Sequence, residues 1–172
     1  MLEKFHPRGA FREKIKGPLL EMMKLTSSDI VIDVGSGDGF YSNEFSKVCK
    51  QVFSIDEYCK NFESGFYSSS NITTICIDAC QGIDIPKATH AFFLNSFHDM
   101  KCQDQLLSFL SSILKDEGKL TLVEFKLDAP FGPPKAIRFS EDELVEKIES
   151  RGFKKIDRRE FEYHYAVSFV KK

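Results

Sequence analysis

The sequence contains no tryptophan, so the aromatic part of its core falls to 17 phenylalanines. It lacks any run of about 18 apolar residues, which argues against a membrane-spanning helix. Met1-Leu2-Glu3-Lys4-Phe5-His6-Pro7 holds no apolar stretch, so no secretory leader is expected there. An excess of positive charge is also missing. The formal net charge is -2, which gives no global attraction to nucleic acid or to an anionic membrane. Cys49, Cys59, Cys76, Cys80 and Cys102 make an odd count without the paired spacing of a metal site. The expectation is a reduced, cytoplasmic protein with buried thiols and no bound metal.

What is present reads as one domain over residues 1–172. Hydrophobic content of 42% against 29% charge is enough for a sizeable core. In residues 1–28, apolar side chains (Phe5, Phe11, Ile15, Leu19, Leu20, Met22, Met23) recur at helical spacing. One or two short helices are expected there, with Pro18 able to start a new turn. Ile30 to Val34, Gln51 to Asp56, Ile72 to Ile77, His90 to Leu94 and Lys119 to Lys126 read as strands. Between them, Phe40 to Lys50 is expected as a helix with Phe45 and Val48 facing the sheet. Glu57 to Ser70 reads as a short helix decaying into a loop, and Lys101 to Leu114 as an amphipathic helix. Ser140 and Glu143 form a capping box that opens a last helix, ended by Gly152. Two final strands, Phe153 to Arg159 and Tyr163 to Val170, have no helix between them and should pair antiparallel. The sum is an α/β, Rossmann-like doubly wound sheet of about seven strands. It is mostly parallel with the last strand antiparallel, and has helices on both faces.

Polar features stand at the ends of four successive strands. They are the turn Gly35-Ser36-Gly37-Asp38-Gly39, Asp56, Asp78, and the segment Asn95-Ser96-Phe97-His98-Asp99. In an open parallel sheet that edge is where ligands sit. A dinucleotide fingerprint needs a third glycine at the sixth position, where this chain has Phe40. No Gly-Lys-Ser/Thr follows, which excludes a P-loop. Among the remaining candidates, His90 and His164 read as structural. Lys154, Lys155, Arg158 and Arg159 read as a solvated strand face, because Asp157 and Glu160 interleave with them.

Asp33-x-Gly35-x-Gly37-x-Gly39 followed by Asp56 and Asp78 resembles the class I S-adenosylmethionine-dependent methyltransferases. The small type 11 group is the nearest in character, and Gly132-Pro133-Pro134 with Arg138 resembles its late loop. The resemblance implies S-adenosylmethionine as cofactor. Gly35, Ser36, Gly37 and Gly39 would form the turn around its methionine part, with Asp33 holding that turn or meeting the ammonium. Asp56 would accept from the ribose hydroxyls, Glu57 and Tyr58 would flank the adenine, and Asp78 with the Ala79 amide would meet its edge. Asn95 would contact the methionine part. The acids suit a cation that carries no phosphate.

His98 is the candidate general base. The expected partner is a small-molecule methyl acceptor. No Asn/Asp-Pro-Pro-Tyr motif is present, so amino methylation of nucleic-acid bases is not expected. An RNA or protein acceptor, or a non-catalytic cofactor-binding module, is the alternative. The acceptor would be gripped by residues 1–28 and by the Pro-rich loop 128–139, a candidate lid. Phe5, Phe11, Phe131 and Phe139 suit either a partly apolar pocket or an open cleft completed by a second copy in a homodimer. His6 is a candidate to close over the cofactor.

Overall fold

The computed structural model describes residues 8–172, so Phe5 and His6 lie outside the described residues. Seven strands form one sheet: β1 (Ile30–Val34), β2 (Gln51–Asp56), β3 (Ile72–Cys76), β4 (Ala88–Leu94), β5 (Leu114–Phe125), β6 (Phe153–Glu160) and β7 (His164–Lys171). Their spatial order is β3-β2-β1-β4-β5-β7-β6. The pairs among β1 to β5 are parallel, whereas β7 runs antiparallel to both β5 and β6. The antiparallel last strand is therefore inserted between β5 and β6.

Four helices cover the sheet: α1 (Arg8–Met23), α2 (Phe40–Ser46), α3 (Gln103–Ile113) and α4 (Glu141–Glu149). Strand side chains alternate in direction, so each face gains its own apolar layer. Val31, Val52 and Phe92 pack with Ile15, Leu19 and Met23 of α1 and with Phe45 of α2. Ile32, Val34 and Phe93 pack with Leu106, Leu107 and Leu110 of α3 and with Leu144 and Ile148 of α4. Each such fully buried Leu or Phe contributes about 1.5–3 kcal/mol.

Several local expectations change. α1 is a single helix running through Pro18, an exposed residue whose broken hydrogen bond faces water. α2 ends at Ser46, four residues early, which leaves Val48 42% exposed instead of facing the sheet. The segment after β2 forms two 3-10 turns, Cys59–Glu63 and Gly65–Tyr67, rather than an α-helix. β5 begins at Leu114, with a register shift against β4 around Glu117, where φ is 60°. The capping box of α4 is complete: Ser140 Oγ accepts from the Glu143 amide and Glu143 accepts from the Ser140 amide.

The cysteines require a correction. Cys59 pairs with Cys76 and Cys80 with Cys102 as disulfides, their Cα atoms 5.3 and 5.6 Å apart. Only Cys49 is a buried free thiol. Partners 17 and 22 residues apart meet because parallel strands all end at one edge of the sheet: Cys59 follows β2 beside the end of β3, and Cys80 after β3 reaches Cys102 after β4 across the ends of β2 and β1. Sequence spacing does not report that meeting. The basic run behaves as a solvated face: Lys155 and Arg158 both pair with Glu141, and Arg159 pairs with Asp157.

Candidate active site

β1 lies between β2 and β4, so the chain crosses from one side of the sheet to the other beside it. The carboxyl ends of β1 and β4 therefore open a crevice at the switch in strand order. The turn after β1 fills one lip. Gly35 has φ 70°, and a Cβ there would lie 2.5 Å from Ser96 Cβ, so only glycine lets the two strand ends meet this closely. The Gly35 and Ser36 amides donate to the Ile55 carbonyl, at 2.8 and 3.0 Å. Ser96 Oγ donates back to the Val34 carbonyl at 2.8 Å.

Two cavities share this lip. The smaller, about 530 Å³, is lined by Asp56, Glu57, Tyr58, Asp78, Ala79, Met100 and the Cys80–Cys102 pair. The larger, about 910 Å³, runs from Asp33, Ser36, Gly37 and Asp38 to Phe11, Phe125, Phe131 and His164. Gly35, Asn95, Ser96 and Asp99 line both, so the two form one continuous trench. Ten of the eleven predicted cofactor-side residues line it, and so does His98. The exception is Gly39, which lines neither cavity. It packs under the Tyr67 ring, where a Cβ would lie 2.5 Å from Cζ.

At the polar end, Asp56 is buried and already in use. One carboxylate oxygen accepts from the Gly37 amide at 2.9 Å, the other from the Tyr58 amide at 2.8 Å and Asn61 Nδ2 at 3.2 Å. It thus ties the glycine turn to the end of β2, and the oxygen that takes the Gly37 amide keeps a lone pair for a further donor. Asp78 caps the 3-10 turn that follows β3 by accepting from the Cys80 amide at 2.9 Å. Asp33 is 3% exposed and accepts from Ser42 Oγ at 2.6 Å. Burial pushes its pKa up to about 7, against the Ser42 hydrogen bond and with help from the charges of Asp56 and Asp38. Asn95 holds a left-handed conformation, φ 52°, with its Nδ2 3.1 Å from His164 Nε2.

Four contributors escaped sequence reasoning. Tyr67 donates to the Gly37 carbonyl at 2.6 Å and its oxygen lies 2.8 Å from Ser36 Oγ, so one side chain braces the whole turn. Arg12 of α1 pairs with Asp38 at 2.6 Å and lies over the Phe40 ring. Asp38, the acid inside the glycine turn, is therefore balanced by a cation. His164, read as structural, stands on the cavity wall: Phe11 stacks on it at 3.7 Å and Phe125 packs at 4.1 Å. Burial and the Lys126 charge lower its pKa to about 3, so its ring is neutral. Glu124 grips His98 with both oxygens, one 2.6 Å from Nδ1 and one 3.2 Å from the His98 amide. A signal for it existed, since Glu124 is an acid inside the apolar strand Leu120 to Phe125.

The Pro-rich loop is tied together by one side chain. Arg138 reaches under it and donates to the carbonyls of Lys126, Leu127, Ala129, Phe131 and Pro133, at 2.8 to 3.3 Å. The Phe131 ring, held this way, meets Phe125 and Tyr163 edge-on. Among the described residues, no group of three or more His, Cys, Asp or Glu is arranged to hold a metal, and no helix is long and apolar enough to cross a membrane.

No protein-family model matches this sequence, and a comparison with curated proteins finds no match. Solved structures do match. A S-adenosylmethionine-dependent methyltransferase from Aquifex aeolicus superposes with a TM-score of 0.82 at 21% identity, covering 98% of this chain and 100% of that one. A protein from Sulfolobus solfataricus assigned to the type 11 methyltransferases gives 0.77 at 22% identity, covering 91% of each chain. The 1,6-didemethyltoxoflavin-N1-methyltransferase of Burkholderia thailandensis, solved with 1,6-didemethyltoxoflavin and S-adenosylhomocysteine bound, gives 0.72 at 16% identity over 92% of this chain and 76% of that one. The architecture described above is thus the Rossmann-like fold of the class I S-adenosylmethionine-dependent methyltransferases, the type 11 group among them.

Proposed function

We propose that this protein is a S-adenosylmethionine-dependent methyltransferase acting on a small molecule. The observation that carries the reading is the two-part trench. An acid-lined cavity at the ends of β2 and β3 meets an aromatic one at Gly35, Asn95 and Ser96. The residues present fit the cofactor. Asp33 is a buried carboxylate without a cation beside it, which suits the ammonium of a methionine moiety. Asp56 has a spare lone pair, on the oxygen bound by the Gly37 amide, for a ribose hydroxyl. A Cβ at Gly37 would meet nothing within 4 Å, so the backbone there is open to a ligand. Glu57, Tyr58, Asp78 and Ala79 would hold the adenine. When bound, S-adenosylmethionine supplies an electrophilic methyl group.

The chain's own contribution is positioning. Tyr67 and Asp56 fix the glycine turn from two sides, and Arg12 and the Arg138-held loop wall the acceptor end. Holding two reactants in line converts an encounter into a step within one complex. Calorimetric titration with S-adenosylhomocysteine and with NADH tests the reading. Heat with S-adenosylhomocysteine alone is expected, and heat with the nicotinamide alone overturns it.

A further inference from the structure

The acceptor end of the trench carries a chemical signature of its own. Its wall is built from ring faces and edges: Phe11 stacked on His164, His164 against Phe125, and Phe131 edge-on to Phe125. Neither charge nor a free cation breaks this wall. His164 is neutral, and Arg12, the one Lys or Arg lining the larger cavity among the described residues, is engaged by Asp38. A phosphorylated or carboxylated ligand would find no counter-charge there, whereas a flat uncharged ring would find partners on several sides.

At the edge of that wall stands a His–Glu pair built to accept a proton. His98 is almost wholly buried, with its ring 6.5 Å from the Phe125 ring. Glu124, from the neighbouring strand β5, accepts from Nδ1–H at 2.6 Å and from the His98 amide at 3.2 Å. Ring orientation is thereby set with Nδ1–H toward Glu124, so in the neutral ring the lone pair is on Nε2. Nε2 lies 3.4 Å from Asp99 Oδ2, and both residues line the larger cavity. Burial alone would lower the pKa of His98. The Glu124 hydrogen bond and charge, with the Asp99 charge, outweigh that burial and the opposing Arg138 charge, and raise it. On a planar ring of the kind this wall accepts, an amino group is already unprotonated at neutral pH and attacks with its own lone pair, so a carboxylate-backed imidazole adds little to it. It is of use to a hydroxyl, whose oxygen becomes a strong nucleophile once its proton leaves.

Resting on the methyltransferase reading, we propose that the acceptor is a planar aromatic compound carrying an acidic hydroxyl, seated against Phe125, Phe131 and His164 with its hydroxyl on His98 Nε2. The O–H bond breaks, its electron pair stays on oxygen, and the proton forms a bond to Nε2. Glu124 acts as a positioning residue that stabilises the resulting imidazolium. The deprotonated oxygen is the nucleophile that methyl transfer requires.

The test uses 4-nitrophenol, whose ionised form is visible by its absorption band, and 4-nitroanisole, the same ring with the hydroxyl proton replaced. Each is titrated into the protein saturated with S-adenosylhomocysteine. 4-Nitrophenol should bind about tenfold more tightly than 4-nitroanisole, the worth of one charge-assisted hydrogen bond. Its bound form should ionise at a lower pH than the free compound. His98→Gln should abolish both differences, and Glu124→Gln should shift the ionisation back toward that of free 4-nitrophenol. Phe131→Ala should weaken both probes alike and leave their ratio unchanged. Equal affinity for the two probes, no binding of either at the solubility limit, or a preference that survives His98→Gln overturns the proposal. S-adenosylhomocysteine affinity is measured on the same samples. Its retention in a failing experiment sinks only the acceptor class, and its absence from the wild type sinks the methyltransferase reading itself. Retained affinity in His98→Gln also shows that the variant is folded.

Discussion

The two ends of the trench are built on different principles. The cofactor end is made of backbone and acids. Its parts lie one at each strand end, and each is held by a few short hydrogen bonds, such as those of Asp56 to Gly37 and Tyr58. The end proposed for the acceptor is made largely of rings contributed by α1, β5, the Pro-rich loop and β7, with His98, backed by Glu124, at its margin. A charged, directional site suits one invariant ligand. An apolar wall discriminates by shape and by one proton acceptor, and it can change its ligand by changing a few side chains. Substitutions should therefore separate the two ends, with each change felt strongly at its own end and weakly at the other.

The largest expected effect is at Asp33. Its native pKa of about 7 stands above its ordinary value of 3.8, so between those values the folded protein binds more protons than the unfolded chain. Stability from this group is fully present below pH 4 and is lost as pH rises through 7, a change on the order of 4 kcal/mol. Asp33→Asn should remove that slope and make the ligand-free protein more stable than wild type at pH 8, measured by urea unfolding across pH. The same variant should bind S-adenosylhomocysteine more weakly, because the ammonium loses its carboxylate. A stability curve parallel to that of wild type would mean that Asp33 is not a buried acid seeking a cation.

Asp56→Ala comes next. It removes the proposed ribose acceptor and unties Gly37 and Asn61, which should cost about 2–3 kcal/mol of S-adenosylhomocysteine affinity, roughly a hundredfold. Binding of 4-nitrophenol should change little. Parallel loss of both ligands would break the comparison, because it would show that the glycine turn organises the acceptor wall as well.

The same division explains what the sequence made legible. β1, its glycine turn, Asp56 and Asp78 are local signals: a short apolar run, then a residue type that only a strand end needs. The doubly wound sheet and the capping box of α4 are equally local. The acceptor end has no such signal. His98 and Glu124 lie 26 residues apart and meet only because β4 and β5 are neighbours. Phe11 and His164 come from opposite ends of the chain, and a His in a strand reads as packing until a second ring is found against it. The cysteine pairs were missed for the same reason. The early end of α2 is a smaller case: Val48 fits a helical period, and the chain instead turns after Ser46 to enter β2.

The smallest expected effect sharpens the comparison from the other side. Arg138 makes no contact with the glycine turn, and its guanidinium donates to five backbone carbonyls of the 126–133 segment. The planar fork is what lets one side chain serve so many acceptors, and an amide cannot replace it. Arg138→Gln leaves most of those carbonyls to water, which they can reach because the loop is at the surface. The stability loss should therefore be only about 1–2 kcal/mol, read from urea unfolding. The consequence for binding is specific. Phe131 depends on that loop for its place against Phe125, so 4-nitroanisole, which has no hydroxyl proton to offer His98, should lose affinity. S-adenosylhomocysteine binding should stay within about twofold of wild type, since surface changes away from a site add little to its energy. If S-adenosylhomocysteine affinity fell and 4-nitroanisole affinity held, the loop would belong to the cofactor end, and the trench would have to be divided at a different point from Gly35 and Asn95.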